Sequence, residues 1–166
     1  MTAATTNRAG ARPTILVVED DAAVRNLILT TLDTEGYAHL SETTGRGAIA
    51  SAATSREEIG NDVYPPARAE LRAHGIPVGN RAAVQVTPRD YDDYDWLLTM
   101  DENNARNLRR ILPHDPDGKI RPLLSFAGLQ RGIADPWYTD DFGTTYDDLV
   151  LGCTAFLDAL RRRGDI

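Results

Sequence analysis

Thr14-Ile15-Leu16-Val17-Val18-Glu19-Asp20-Asp21-Ala22-Ala23-Val24-Arg25 is the stretch on which the fold turns. Its first five residues form a continuous β-branched and aliphatic run, the pattern of a strand buried on both faces of a parallel sheet. Three carboxylates end the run. From Ala22 to Glu35 the period changes: Val24, Leu27, Ile28 and Leu32 share one helical face, and Gly36 supplies the stop. The opening unit is therefore strand, acidic turn, helix.

Before this unit, Met1 to Pro13 is small, polar and aperiodic, which reads as a disordered leader. After it, Tyr37 to Leu40 and Ile49 to Thr54 read as short strands. Pro65-Pro66 opens a helix through Ala73, closed by Gly75. Trp96 to Met100 is the next apolar strand, and a helix from Glu102 to Leu112 buries Leu108, Ile111 and Leu112. Pro122 to Phe126 reads as another short strand and Leu129 to Gly143 as a long exposed loop. A final helix from Thr144 to Arg163 has the apolar stripe Tyr146, Leu149, Val150, Cys153, Leu157 and Leu160, with Asp147 and Asp148 in its first turn. Strands alternating with helices predict a single α/β domain over residues 14–166. It has three layers, with helices on both faces of a central, mostly parallel sheet of four, or five, strands. Ligands in such folds bind beyond the carboxyl ends of the strands, which here carry Glu19-Asp20-Asp21, Asp101 and Ser125.

Composition narrows the function. With 25 Asp+Glu against 18 Lys+Arg and a net charge of -7, the chain lacks the clustered positive charge that holds a phosphate backbone, so nucleic acid is not an expected partner. No apolar run nears the roughly 20 residues of a membrane span, and the N-terminus lacks the apolar core of a signal peptide, so a cytoplasmic location without membrane contact is expected. The single cysteine, Cys153, cannot form an internal disulfide. Its place on the last helix's apolar stripe favours a buried structural thiol over a nucleophile. His39, His74 and His114 fall in separate elements and suggest no metal or triad site.

From Ser51 onward the chain resembles the low-molecular-weight protein tyrosine phosphatase family. The likeness is carried by SAATSREEIGN (51–61), PPARAELRAHGI (65–76), VTPRDYDDYDWLLTMDENNARNLRR (86–110) and ADPWYTDDF (134–142). The resemblance implies that Asp135 holds the position of the general acid that protonates the leaving phenol, and that Trp137 and Tyr138 line the slot for the substrate ring. It implies phosphotyrosine proteins or aryl phosphates as substrates and no required cofactor. In that family a Cys-x5-Arg loop follows the first strand: its thiolate attacks phosphorus, while loop N–H groups and the Arg hold the phosphate oxygens. Such a thiolate is both a strong nucleophile and a good leaving group. Here Arg25 keeps the phosphate-binding position, six residues after Glu19, and Glu19 stands where the nucleophile should. The loop's glycine and asparagine are replaced by Asp21 and Ala22. Phosphotyrosine hydrolysis is therefore expected to be absent or severely impaired.

Residues 14–50 instead resemble the start of a response-regulator receiver domain, through ILVVEDDAAVRNLILTTLDTEGY and TTGRGAIA. The chain thus reads as a hybrid, receiver-like over 14–50 and phosphatase-like over 51–166. This second resemblance implies an alternative: a signalling module in which Asp20, Asp21 and Asp101 hold Mg²⁺, a cation that prefers carboxylates and retained waters. Asp101 would then accept a phosphoryl group. By sheet order Asp101 and Ser125 could take the third- and fourth-strand receiver positions, but no Lys fits the fifth, since Lys119 lies ahead of the fourth strand.

Overall fold

All four residues of the first strand, β1 (Ile15–Val18), are buried, as a run apolar on both faces requires. The computed structural model describes residues 13–34, 49–56, 65–75, 84–134 and 139–166. Among these, β1 leads into α1 (Ala22–Thr34), followed by β2 (Ile49–Ala52), α2 (Pro65–Ala73), the single-turn α3 (Asp90–Asp93), β3 (Trp96–Thr99), α4 (Glu102–Ile111), β4 (Ile120–Pro122), a 3₁₀ turn (Leu123–Ala127) and α5 (Phe142–Arg163). The N-terminal leader and the expected strand at Tyr37–Leu40 lie outside the described residues.

The four strands are all parallel, in the order β2-β1-β3-β4. Register places Val18 beside Ala52 on one side and Thr99 on the other, so the segments that follow these three strands share one edge. Alternate residues feed two cores. Ile15, Val17, Ile49 and Leu98 face α1, the 3₁₀ turn and α5, whereas Leu16, Val18, Ala52 and Leu97 face Leu108 and Leu112 of the α4 layer. This is the expected three-layer α/β arrangement.

Pro122–Phe126 differs from expectation. Only Pro122 is in a strand, and the next five residues wind into the 3₁₀ turn, which Gly128 closes at φ 76°. Leu123 and Leu124 are consecutive and both buried (0% and 1% exposed). A strand would send them to opposite faces, whereas a helical turn presents both beneath α5. The loop expected to be exposed over Leu129–Gly143 is only partly so. Ile133 is buried and its N–H donates to Met100 O at 2.8 Å. The last helix begins two residues earlier than expected, because Asp141 caps it by accepting from the N–H of Thr144 at 3.0 Å. Asp148 consequently falls outside the first turn. It is buried and takes the Arg131 guanidinium in a two-pronged pair at 2.7 and 2.9 Å.

The α5–3₁₀ contact depends on Gly152. A Cβ there would lie 2.7 Å from Leu123 Cγ, a fully buried atom with nowhere to move. Gly152→Val is expected to cost about 1–3 kcal/mol through overpacking, read as a lowered thermal midpoint.

Candidate functional site: the turn between β1 and α1

In this strand order the chain departs from β1 to opposite sides, toward β2 and toward β3. The crevice at the carboxyl ends of β1 and β3 is thus the topological switch point where such folds place their ligands. Glu19, Asp20 and Asp21 occupy it from β1, and Asp101 from β3.

Glu19 is fixed first by its backbone, whose N–H continues the ladder to Ala52 O at 3.0 Å. Its side chain is buried and accepts the N–H of Asp21 at 2.9 Å. Asp21 Oδ1 accepts the N–H groups of Ala23 and Val24 at 2.8 and 2.9 Å, satisfying donors that the first turn of α1 would otherwise leave without partners. Asp20 turns toward the segment after β2. One of its oxygens accepts from the N–H groups of Thr54 (2.7 Å) and Ser55 (3.1 Å), the other from the Thr54 hydroxyl (2.8 Å). Arg25 is 5% exposed and folds back over the turn, its Nη1 donating to the carbonyl oxygens of Glu19 and Asp20, both at 2.8 Å.

Asp101 caps α4. Its Oδ1 accepts the N–H of Asn104 at 2.7 Å, while the buried Asn104 side chain accepts from the N–H groups of Asp101 and Met100. Burial raises the Glu19 carboxyl well above the usual Glu range; the Asp101, Asp21 and Asp20 charges push the same way, against the opposing Asp21 N–H. Burial likewise raises Asp101, with Asp20 and Glu102 adding to it against the N–H groups of Asn104 and Asn103. The acidic residues therefore feel one another. Even so, each of Asp20, Asp21 and Asp101 is committed to backbone donors, and among the described residues no group of three or more His, Cys, Asp or Glu side chains could hold a metal ion.

Asp135, Trp137 and Tyr138 lie outside the described residues. Ala134, just before them, is held: the buried Thr145 hydroxyl donates to Ala134 O at 2.9 Å. Ser125 lies on the 3₁₀ turn and donates to Pro122 O at 2.6 Å. Lys119 donates its ammonium to Tyr91 O at 2.7 Å and lies over that ring. Cys153 is fully buried within α5, and burial pushes its thiol up to about 12. Thr54, Ser55, Asn104 and the Arg131–Asp148 pair were not expected at or near the site. Thr54 and Ser55 belong to a quoted segment, but nothing in that segment shows that Asp20, more than thirty residues earlier, would reach it.

A doubly wound parallel sheet with an Arg-closed strand-to-helix turn at its switch point defines the class: an α/β domain whose candidate site lies between β1 and α1. The profile of the family described as "Low molecular weight phosphotyrosine protein phosphatase" matches residues 34–165. The chain belongs to that family. It is 40% identical over 115 residues to the low molecular weight phosphotyrosine protein phosphatase of Gallus gallus, covering 66% of this chain and 72% of the relative. It is 37% identical over 115 residues to the Homo sapiens protein of that name, with the same coverage. Among solved structures, YfkJ of Bacillus subtilis matches with a TM-score of 0.75 at 23% identity, over 93% of this chain and 98% of that one, a likeness of fold. SP-PTP, a low molecular weight protein tyrosine phosphatase from Streptococcus pyogenes, matches with a TM-score of 0.71 at 27% identity, over 90% and 93% of the two chains.

Proposed function

We propose that this chain is a low molecular weight phosphatase-fold protein that has lost the thiol nucleophile, so that phosphotyrosine hydrolysis is absent or severely impaired. The observation that carries the reading is Glu19: a buried carboxyl, bonded to the Asp21 N–H, stands at the end of β1 six residues before Arg25. A carboxyl whose ionisation is opposed by burial and by three neighbouring acids is a poor substitute for a thiolate. The one thiol of the chain, Cys153, is fully buried in α5 and protonated at neutral pH.

In this reading Asp135 retains the general-acid position and Trp137 and Tyr138 the aromatic slot; a phosphotyrosine protein or an aryl phosphate is the ligand class of the family, and no cofactor is required. Arg25 retains the sequence position of the phosphate-binding arginine but spends its guanidinium on the turn's own carbonyls. The receiver-like alternative, with Mg²⁺ on Asp20, Asp21 and Asp101, draws on the sequence of residues 14–50. It gains no support from the three carboxylates, each engaged by backbone N–H groups.

The test is turnover of p-nitrophenyl phosphate, with the human relative as positive control. The expected rate is lower by about 10⁴-fold or more, as for enzymes whose nucleophile is removed, and unchanged by Cys153→Ser. Turnover comparable to the control and abolished by Asp135→Ala would overturn the reading.

A further inference from the structure

We infer that the β1–α1 turn is closed to oxyanions: its own carboxylates and carbonyls occupy the donors that would hold a phosphate group, so the chain is not a phosphotyrosine trap either. This rests on the functional reading above and deepens it, because a phosphatase fold without its nucleophile could still retain phosphorylated ligands.

Backbone N–H groups at a strand-to-helix turn and the first turn of a helix are ready anion donors. Here three of them are taken internally. The Asp21 N–H goes to Glu19 Oε1, and the N–H groups of Ala23 and Val24 go to Asp21 Oδ1. The arginine that would close around an oxyanion donates instead to the carbonyls of Glu19 and Asp20. An entering phosphate would have to displace acceptors held within two or three residues of their donors, whose hydrogen bonds form without the translational and rotational cost that a free ion meets on binding. It would also approach the carboxylates of Asp20, Asp21 and Asp101, which repel a dianion in a partly buried crevice. Any partner of this protein is therefore recognised through another surface, without a phosphoryl group in this turn.

The experiment titrates the full chain with inorganic phosphate and with tungstate at millimolar concentrations while following the backbone amide resonances of Asp21, Ala23 and Val24. No saturable shift is expected. The double variant Glu19→Ala/Asp21→Gly, which vacates all three donors, is expected to gain saturable binding at least about tenfold tighter than the parent. If the double variant does not fold, Asp21→Gly alone frees two donors at a capping cost of only a few tenths of a kcal/mol, and carries the same expectation. Saturable shifts of these amides in the parent, or a folded variant that binds no more tightly, would overturn the inference. Phosphate binding without turnover defeats this inference alone; turnover of an aryl phosphate defeats the functional reading.

Discussion

Arg25→Ala is expected to lower the unfolding free energy by about 3 kcal/mol, a loss of roughly 6–12 °C in Tm for a domain of this length. Two charge-assisted hydrogen bonds go with the guanidinium, and the carbonyls of Glu19 and Asp20 lose their donor in a buried turn. A cationic group bonded to this turn would also vanish from beside the Asp20 and Asp21 carboxylates. An arginine reserved for substrate behaves differently: its removal weakens binding and leaves the folded state nearly unchanged. Thermal unfolding of the variant at neutral pH decides between the two, and a Tm within a degree or two of the parent would refute the structural role. Arg25→Lys should recover only part of the loss, because a single ammonium on a flexible stem does not reproduce the guanidinium fork.

Glu19→Gln should act in the opposite sense, raising stability at pH 7–8 while leaving it almost unchanged near pH 4. The folded carboxyl titrates well above 4.5, the ordinary value that the unfolded chain approaches. Below that value both states are protonated and burial carries no electrostatic cost. Between the two values the folded chain holds a proton that the unfolded chain has released, so stability falls as pH rises until the folded carboxyl ionises. The amide has no proton to lose, and its oxygen can still accept the Asp21 N–H. The difference in Tm between variant and parent should therefore grow from about zero at acidic pH as pH rises, and level off only once the folded carboxyl ionises. A variant no more stable than the parent at pH 8 would show that the buried carboxyl imposes no such strain.

These two substitutions separate what the sequence could show from what only coordinates could. β1, α1 and α2 were legible because each follows one strong period and is bounded by Gly, Pro or a cluster of acids. The strand order was not, since parallel pairing joins segments far apart in the chain. Pro122–Phe126 was misread because a short apolar run fits a strand or a buried helical turn equally well, and only the cover supplied by α5 decides between them. Glu19 and Arg25 became candidates through the family resemblance and its six-residue offset. That the arginine turns back onto carbonyls, and that Asp20 spans to Thr54 and Ser55, depends on side-chain directions that spacing does not encode. The same holds for Asp148, whose neighbour in sequence, Asp147, is exposed while Asp148 itself is buried against Arg131.

The position of Cys153 gives the molecule a built-in clock. Its sulfur is sealed between α5 and the sheet, and burial suppresses the thiolate, so neither peroxide nor a maleimide reaches it while the helix stays docked. Each labelling event must therefore wait for an opening of the core that holds it. With one thiol in the chain, the rate of modification reports on those openings without interference from any other sulfhydryl.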